Sequence, residues 1–339
     1  MNKLIDRKVE EIVSEVGFSG VIKVHHHDEV IHESVFGYSN RSDQLENMLN
    51  TRFGIASGCK IFTAVGIGIL VDEGKISFQT KLSECLDVYF PHYSKDITIH
   101  HLLTHTSGIP DYFDESVMED FAELWLERPM YTMRSPKDFL PMFQNREMLF
   151  QPGERFHYNN AGYIVLGLVI EQISGMNFTD FVETKVFAKA GMNHSGYFSL
   201  DQLPKDTAIG YIDDEESGAW KSNIYSIPVK GGADGGAFIT ASDMMKFWDA
   251  LVGNKLLSEG ITKKFLTPHV ESDEDEYYGY GIWMNKQEGK IIRQHVMGYD
   301  PGVNFHAAVY PDGHKVVVTS NKSDGAFDIM LAIEEVILG

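Results

Sequence analysis

The chain has 339 residues, of which 43% are hydrophobic and 12% aromatic, which is enough apolar material for one large core or two lobes. Its 29 basic and 49 acidic residues give a formal net charge of −20, which argues against nucleic acid or an anionic membrane as the main partner. The two cysteines, Cys59 and Cys85, are too few for a disulfide scaffold or a cysteine-based zinc module.

The first residues predict a charged amphipathic helix rather than a targeting segment. They read MNKLIDRKVEEIV, and no apolar run of the roughly 7–15 residues that a secretory signal needs lies near the start. The longest apolar stretch, residues 61–71, is shorter than the about 20 residues of a membrane span. We therefore expect a cytoplasmic protein with no membrane partner.

Two short strands followed by helices are predicted in the first half of the chain. The strands are residues 20–24 and 30–36. The helices are residues 57–72, 99–104 and 160–174. The first and last of these helices are apolar on almost every side, which is typical of buried helices, and Gly74 and Gly175 are suited to end them. Thr98 is predicted to cap the middle helix.

The last hundred residues change to a strand-like periodicity. After a helix at 243–251, which Ser242 is predicted to cap, alternating and aromatic segments predict four strands and a closing helix. The strands are residues 278–284, 290–295, 303–310 and 315–320, and the helix is 326–338. Asp312-Gly313 is a strong hairpin signal between the last two strands.

Strands at both ends of the chain and helices in its middle predict an α+β fold. We expect one antiparallel sheet built from both termini and flanked by helices, with a mostly helical lobe inserted into it. The predicted sheet lobe comprises residues 1–56 and 232–339, and the helical lobe residues 57–231. A site formed by both lobes would lie at their junction.

A serine and a lysine three residues apart open the first buried helix, in the sequence FGIASGCK at residues 53–60. This spacing places Ser57 and Lys60 on one face of a helix. A serine hydroxyl needs a base to become a nucleophile, and a lysine at the start of a buried helix is disfavoured as a cation. The pair therefore indicates a nucleophile and its base, although a serine cap followed by a surface lysine has the same spacing.

Two further segments carry polar residues next to predicted buried elements. In QPGERFHYNN, residues 151–160, Tyr158 can relay protons and the Asn160 amide can hold a carbonyl group. Taken alone, Tyr158 is better explained as a core aromatic residue, and Asn159 or Asn160 as a helix cap. In QHVMGYDPGV, residues 294–303, two glycines allow a ligand to approach the backbone closely, and they are equally typical of a plain turn.

Taken together, these segments resemble the penicillin-recognising serine hydrolases, which carry S-x-x-K, then Y-x-N, then a glycine-bearing strand near the C-terminus. The chain is similar to the branch that contains class C β-lactamases, D-aminopeptidases and β-lactamase-fold esterases. Further similar segments are ITIHHLLTHTSGI at 97–109 and GGADGGAFITASD at 231–243. The resemblance covers nearly the whole chain and implies a β-lactamase/transpeptidase-like fold.

The resemblance also implies a role for each matching residue. Ser57 would attack a carbonyl carbon and become acylated, and Lys60 would take or relay its proton. Tyr158 would act as the partner base and as the acid for the leaving group, and Asn160 would bind the substrate on its carbonyl side. Water would then release the acyl group. No cofactor and no metal are implied.

The third motif departs from the family pattern of Lys-Thr-Gly or His-x-Gly. Counted from His295, its third position is Met297; counted back from the Asp-Pro-Gly turn, its glycine is Gly298 and its basic position is Val296. The second register keeps the glycine, so Gly298, Tyr299 and His295 are predicted to bind substrate, with Tyr299 as an N–H donor and His295 as a neighbour whose side chain can also point to the opposite face. The missing basic side chain disfavours β-lactamase and carboxypeptidase activity more than esterase activity.

The sequence therefore predicts a serine hydrolase that cleaves a small-molecule ester, amide or β-lactam through a Ser57 acyl-enzyme. The alternative is a catalytically weak, penicillin-binding-like module that binds or senses its ligand. The oligomeric state is not predicted. Residues 25–27, three consecutive histidines, are expected to be surface residues, and Cys59, about 200° around the helix from Ser57, is expected to be a packed thiol.

Overall fold

The computed structural model describes residues 2–118, 120–214 and 216–339, and within them the main sheet has eight antiparallel strands. The strands are β1 (Gly20–His26), β2 (Glu29–Phe36), β3 (Val270–Asp273), β4 (Glu276–Tyr278), β5 (Trp283–Gln287), β6 (Lys290–Asp300), β7 (Val303–Val309) and β8 (His314–Ser320). Their spatial order is β2-β1-β8-β7-β6-β5-β4-β3. Strands from the two ends of the chain meet in the β1–β8 pair, which confirms the predicted α+β fold class with its sheet built from both termini.

Helices are the main regular secondary structure of the chain between the N-terminal and C-terminal strands. The longer helices are α1 (Asn2–Val16), α2 (Lys60–Asp72), α3 (Asn160–Ser174), α4 (Ala241–Val252) and α5 (Ala326–Leu338). Shorter ones are Leu82–Cys85, Ile99–Leu103, Leu124–Glu127, Leu140–Phe143, Phe178–Val182, Ala188–Ala190 and Glu259–Phe265. Small strand pairs join Tyr38–Asn40 to Leu45–Glu46, Phe53–Gly54 to Phe238–Ile239, and Tyr211–Asp213 to Trp220–Ser222. Met1, which opens the predicted N-terminal helix, lies outside the described residues.

Helices cover both faces of the sheet because the side chains of its strands alternate between the two faces. In β8, Val316 and Val318 pack in one hydrophobic cluster with residues of α1 and α5. Val317, between them, belongs to the larger cluster on the other face, which contains α2, α3 and α4. The α1–α5 layer therefore lies on the opposite side of the sheet from the helices that carry the S-x-x-K and Y-x-N segments.

The two helices predicted to be buried are buried along nearly their whole length. Every residue of α2 from Lys60 to Leu70 is buried, as is every residue of α3 from Asn160 to Ile170. The predicted ends of α3 are confirmed: Asn159 caps its N-terminus through the backbone N–H of Gly162, and Gly175 follows its C-terminus with a φ of 71°.

Three predicted boundaries in the C-terminal part were wrong. Thr240, not Ser242, caps α4, because its hydroxyl accepts a hydrogen bond from the backbone N–H of Asp243. The predicted strand 278–284 is divided into β4 and β5 by a tight turn in which Gly281 has a φ of 74°. β6 continues beyond residue 295 to Asp300 because it pairs with β7 along this whole length.

The predicted division into a sheet lobe (1–56 and 232–339) and a helical lobe (57–231) stays a prediction. One hydrophobic cluster contains residues of both parts, such as Phe305 in β7 and Ile164 in α3. No single helix among the described residues is both long enough and apolar enough to cross a membrane. Asn160–Ser174 and Phe178–Ala190 pass that test only as a pair, which is bent by 76°.

Truncation of a leucine in the buried helix α3 tests this packing. Leu166 is fully buried, so L166A should lower the free energy of unfolding by about 2–5 kcal/mol through lost contacts and a residual cavity. The matched control is L126A, since Leu126 is 84% exposed and its truncation should leave stability nearly unchanged. Urea denaturation of both variants measures the difference, and equal losses would contradict the described burial.

Candidate active site

Ser57 lies in a 3₁₀ turn, Ala56–Cys59, that leads directly into α2. Ala56 has a φ of 43°, in the left-handed region that residues with a side chain seldom adopt. The carbonyl oxygen of Ala56 accepts a hydrogen bond of 3.2 Å from the backbone N–H of Gly236. Such a strained residue persists only where the surrounding structure holds it, so the turn fixes the position of Ser57 closely.

β6 approaches the same turn from the other side. A Cβ atom on Gly298 would lie 2.0 Å from the carbonyl oxygen of Ile55 and 2.9 Å from the backbone nitrogen of Ser57. No side chain fits between these two backbone segments. Gly298 therefore allows β6 to pass directly beside the Ser57 backbone, as the second register of the third motif requires.

Lys60 is 2% exposed and links Ser57 to α3. Its Nζ atom lies 2.8 Å from Oγ of Ser57 and donates hydrogen bonds of 2.7 Å each to Oδ1 of Asn160 and to the carbonyl oxygen of Asp234. The structure thus brings Ser57, Lys60 and Asn160 together around one buried amine. Asp234 comes from the segment GGADGGAFITASD and completes this set.

Asp111 holds Asn160 in place, and sequence reasoning missed it. Its carboxylate accepts hydrogen bonds from the backbone N–H of Asn160 at 2.7 Å, from that of Ala161 at 2.9 Å and from the Asn160 amide nitrogen at 3.3 Å. Burial raises the pKa of Asp111 to about 7, although the hydrogen bonds from these N–H groups act in the opposite direction. Asp111 directly follows the ITIHHLLTHTSGI segment and a proline, but no spacing in the sequence links it to Asn160.

Tyr158 lies beside the serine and the lysine, at the end of β5. Its ring stacks on Trp283, with 6.0 Å between the ring centroids, and Nζ of Lys60 lies 4.9 Å from the centroid of the Tyr158 ring. Desolvation, followed by the negative charge of Glu115, raises the pKa of Tyr158 well above its usual value, against a lowering hydrogen bond with Ser57. Tyr158 is therefore a neutral phenol at neutral pH and can donate a proton.

The third motif lies on a strand whose outer edge is free. β5 pairs with β6 only as far as Trp283 opposite His295, so residues 296–300 have β7 as their one paired strand among the described residues. Backbone N–H and C=O groups on the outer side of this edge are available to a ligand, and they belong to every second residue because successive residues of a strand direct these groups to opposite sides. Gly298 and Tyr299 both line the cavity described below.

His295 does not reach this cavity, in contrast to its predicted place among the substrate-binding residues. Side chains alternate along β6, so His295 shares a face with Arg293 and Tyr299, whereas Val296 and Gly298 share the other. Arg293 forms an ion pair with Glu334 of α5 at 2.9 Å, which identifies the His295 face as the one away from Ser57. His295 is 3% exposed and packs on that side of the sheet.

A cavity of about 900 Å³ opens over Ser57. Its walls are mostly apolar, and their aromatic side chains include Tyr112, Phe113, Phe121, Phe139, Phe198, Phe238 and Trp283. Its charged residues are mostly acidic, namely Glu115, Asp120, Asp234 and Asp300, with Lys230 as the basic one among the described residues. In the part of the chain that the structure describes, no group of three or more His, Cys, Asp or Glu side chains is arranged to hold a metal ion.

The close approach of β6 predicts that Gly298 tolerates no side chain. G298A should lower the melting temperature and slow any reaction at Ser57, because the added methyl group meets backbone atoms that cannot move aside independently. G260A is the matched control, since nothing lies within 4 Å of a Cβ at Gly260, on the helix Glu259–Phe265. Thermal unfolding and the labelling rate of Ser57 by a fluorophosphonate measure both effects. Equal behaviour of the two variants would contradict the described contact.

Comparison with known proteins places this geometry in a family. The family model described as beta-lactamase matches residues 5–334. A crystal structure of a penicillin-binding protein from Bacillus halodurans is similar at 54% identity and a TM-score of 0.93, covering 97% of this chain and 99% of that one.

More distant proteins are similar over comparable lengths. Penicillin-binding protein 4* of Bacillus subtilis (strain 168) is 29% identical over 342 residues, which cover 95% of this chain and 73% of that protein. A D-stereospecific amidohydrolase from Streptomyces sp. shares the fold at 22% identity and a TM-score of 0.79, with 96% of this chain and 97% of that one covered. The chain belongs to the beta-lactamase family.

Proposed function

We propose that this protein is a serine hydrolase that cleaves an ester or amide through an acyl-enzyme on Ser57. One observation carries the proposal: a buried amine, Nζ of Lys60, lies 2.8 Å from Oγ of a serine at the wall of a cavity of about 900 Å³. Membership of the beta-lactamase family supports serine hydrolase chemistry in general. The residue roles and the substrate that follow are part of the proposal.

The partners of Lys60 suit an amine that acts as a base. Oδ1 of Asn160 and the carbonyl oxygen of Asp234 can only accept hydrogen bonds, and the two N–H bonds of a neutral amine satisfy both. The nitrogen lone pair then remains to accept the hydroxyl proton of Ser57. Asp111 fixes the orientation of the Asn160 amide, because its carboxylate accepts a hydrogen bond from the amide nitrogen and thereby turns the oxygen toward Lys60.

The proposed reaction follows from these positions. Lys60 takes the hydroxyl proton while Oγ of Ser57 forms a bond to the substrate carbonyl carbon. The neutral phenol of Tyr158 gives a proton to the leaving oxygen or nitrogen as its bond to that carbon breaks, and Lys60 returns one to Tyr158. The backbone N–H groups of Ser57 and Tyr299 are the proposed donors to the carbonyl oxygen. A water molecule then releases the acyl group as an acid.

Substitution of the proposed nucleophile tests the acyl-enzyme. Wild-type protein treated with a fluorophosphonate should gain the mass of one adduct, mapped to Ser57, whereas S57A should gain none and keep the same melting temperature. The exposed Ser77 provides the control variant S77A, which should label like the wild type. An adduct on S57A, or none on well-folded wild type, would refute the proposal.

Removal of the amine tests the proposed base. K60M keeps most of the side-chain volume without the nitrogen, and it should slow both labelling and ester hydrolysis by about 100-fold or more. The measurement is kcat/KM for p-nitrophenyl acetate together with the labelling rate, on protein whose folding is checked by thermal unfolding. A rate within tenfold of the wild type would contradict the role assigned to Lys60.

Turnover distinguishes the hydrolase from the second candidate, a module like the penicillin-binding proteins that binds or senses its ligand. This candidate is favoured by the 54% identity to the penicillin-binding protein from Bacillus halodurans. A module of this kind would form the Ser57 adduct with a penicillin and hold it, without release of the acyl group. Hydrolysis of p-nitrophenyl acetate over many turnovers, lost in S57A, would favour the hydrolase.

A further inference from the structure

Asp300 is a carboxylate in the cavity wall that the reaction above does not use. It is the last residue of β6 and lies before the Pro301-Gly302 turn. Its side chain is partly buried and accepts no hydrogen bond from the described residues, unlike the carboxylates of Asp111 and Asp234. A desolvated carboxylate without a partner is costly, so its surroundings favour a ligand that brings a donor.

The position of Asp300 follows from the alternation along β6. Asp300 shares a face with Gly298, whose Cα lies beside the Ser57 backbone, and two residues of a strand span about 6.6 Å. The side chain of Asp300 is therefore the first one on this face beyond the nucleophile. A group attached close to the reacting carbonyl of a bound substrate lies within its reach.

The two ends of the free edge of β6 differ in what they offer to a substrate. At the β5 end, Trp283 pairs with His295 and stacks on Tyr158, the proposed acid for the leaving group. Asp300 lies at the opposite end, beyond Gly298. The leaving group therefore belongs to the Tyr158 end, and the acyl part of the substrate belongs to the Asp300 end.

The charges around Asp300 favour a cation on the acyl part. Burial, followed by the charge of Asp234, raises the pKa of Asp300 to about 8; the charge of Glu115 acts in the same direction, and a protonated Lys60 would act against this shift. Lys230 also lines the cavity. Its Nζ atom is within 3.4 Å of Oγ1 of Thr179, on the helix Phe178–Val182, and it forms no ion pair with Asp300. An ammonium group beside Asp300 would keep it ionised and offset the repulsion among the carboxylates.

We infer that Asp300 binds a protonated amine on the acyl part of the substrate, so that the cleft takes aminoacyl esters or amides. The aromatic walls of the cavity suit an aromatic or large apolar side chain on that aminoacyl group. This inference rests on the proposed function and narrows its substrate class. A substrate whose acyl part carries a carboxylate in place of the amine cannot form this ion pair.

Protection of Ser57 from labelling tests this inference without a need for turnover. The rate of fluorophosphonate labelling, followed by intact mass, is measured with phenylalaninamide in each enantiomer and with 3-phenylpropanamide, which lacks only the amine. At least one enantiomer should protect with an inhibition constant about tenfold or more below that of 3-phenylpropanamide, as expected for a charge-assisted hydrogen bond. In D300N this ratio of inhibition constants should fall to nearly one.

The ratio compares two ligands within one variant, so a general effect of the substitution on folding or on Ser57 cancels. E274Q is the matched control, because Glu274 is exposed in the β3–β4 turn and its change should keep the wild-type ratio. If Ser57 is labelled but phenylalaninamide protects it no better than 3-phenylpropanamide does, the inference alone is overturned. An unchanged ratio of inhibition constants in D300N overturns it as well. Failure of the probe to label wild-type Ser57 overturns the proposed function and the inference with it.

Discussion

The set of hydrogen bonds around the Lys60 amine is the interaction on which the site depends. Lys60 is buried, and an unpaired polar group in a buried position costs several kcal/mol. Three partners from different parts of the chain, Ser57, Asn160 and Asp234, offset this cost. These bonds tie the turn before α2, the first residue of α3 and the loop before α4 together, so the same contacts that stabilise the interior also place the serine.

Backbone packing fixes the positions of the groups around the Lys60 amine. Ala56 holds a left-handed conformation, and β6 passes so close to the Ser57 nitrogen that only glycine fits at residue 298. Asp111 adds the orientation of the Asn160 amide through bonds to its backbone and side chain. A rigid nucleophile with few accessible conformations is favourable for catalysis, because the cost of orientation is met during folding rather than during the reaction.

The cavity over Ser57 has mostly apolar walls, and the charged residues among its described lining are mostly acidic. These two features act on different parts of a substrate. The apolar and aromatic walls supply burial for a large side chain, whereas the carboxyl groups of Asp300 and Asp234 line the same cavity as Ser57. The buried Val296 at the other end of the free strand edge offers no cation for a carboxylate. The proposed preference for an amine on the acyl side thus rests on Asp300 alone, whereas Val296 bears on the leaving-group side.

Much of this arrangement was predictable from local pattern, because helix and strand periodicity and the three-residue spacing of Ser57 and Lys60 are properties of short segments. The buried helices α2 and α3, the sheet from both termini and the ends of α3 all follow from such patterns. Contacts between distant segments were not predictable. The bond from Asp111 to Asn160, the extension of β6 to Asp300 through pairing with β7, and the placement of His295 on the far face depend on how the sheet and the helices pack. A shift of one residue in the register of a strand changes which side chains face the cavity, and only the tertiary structure sets that register for β6.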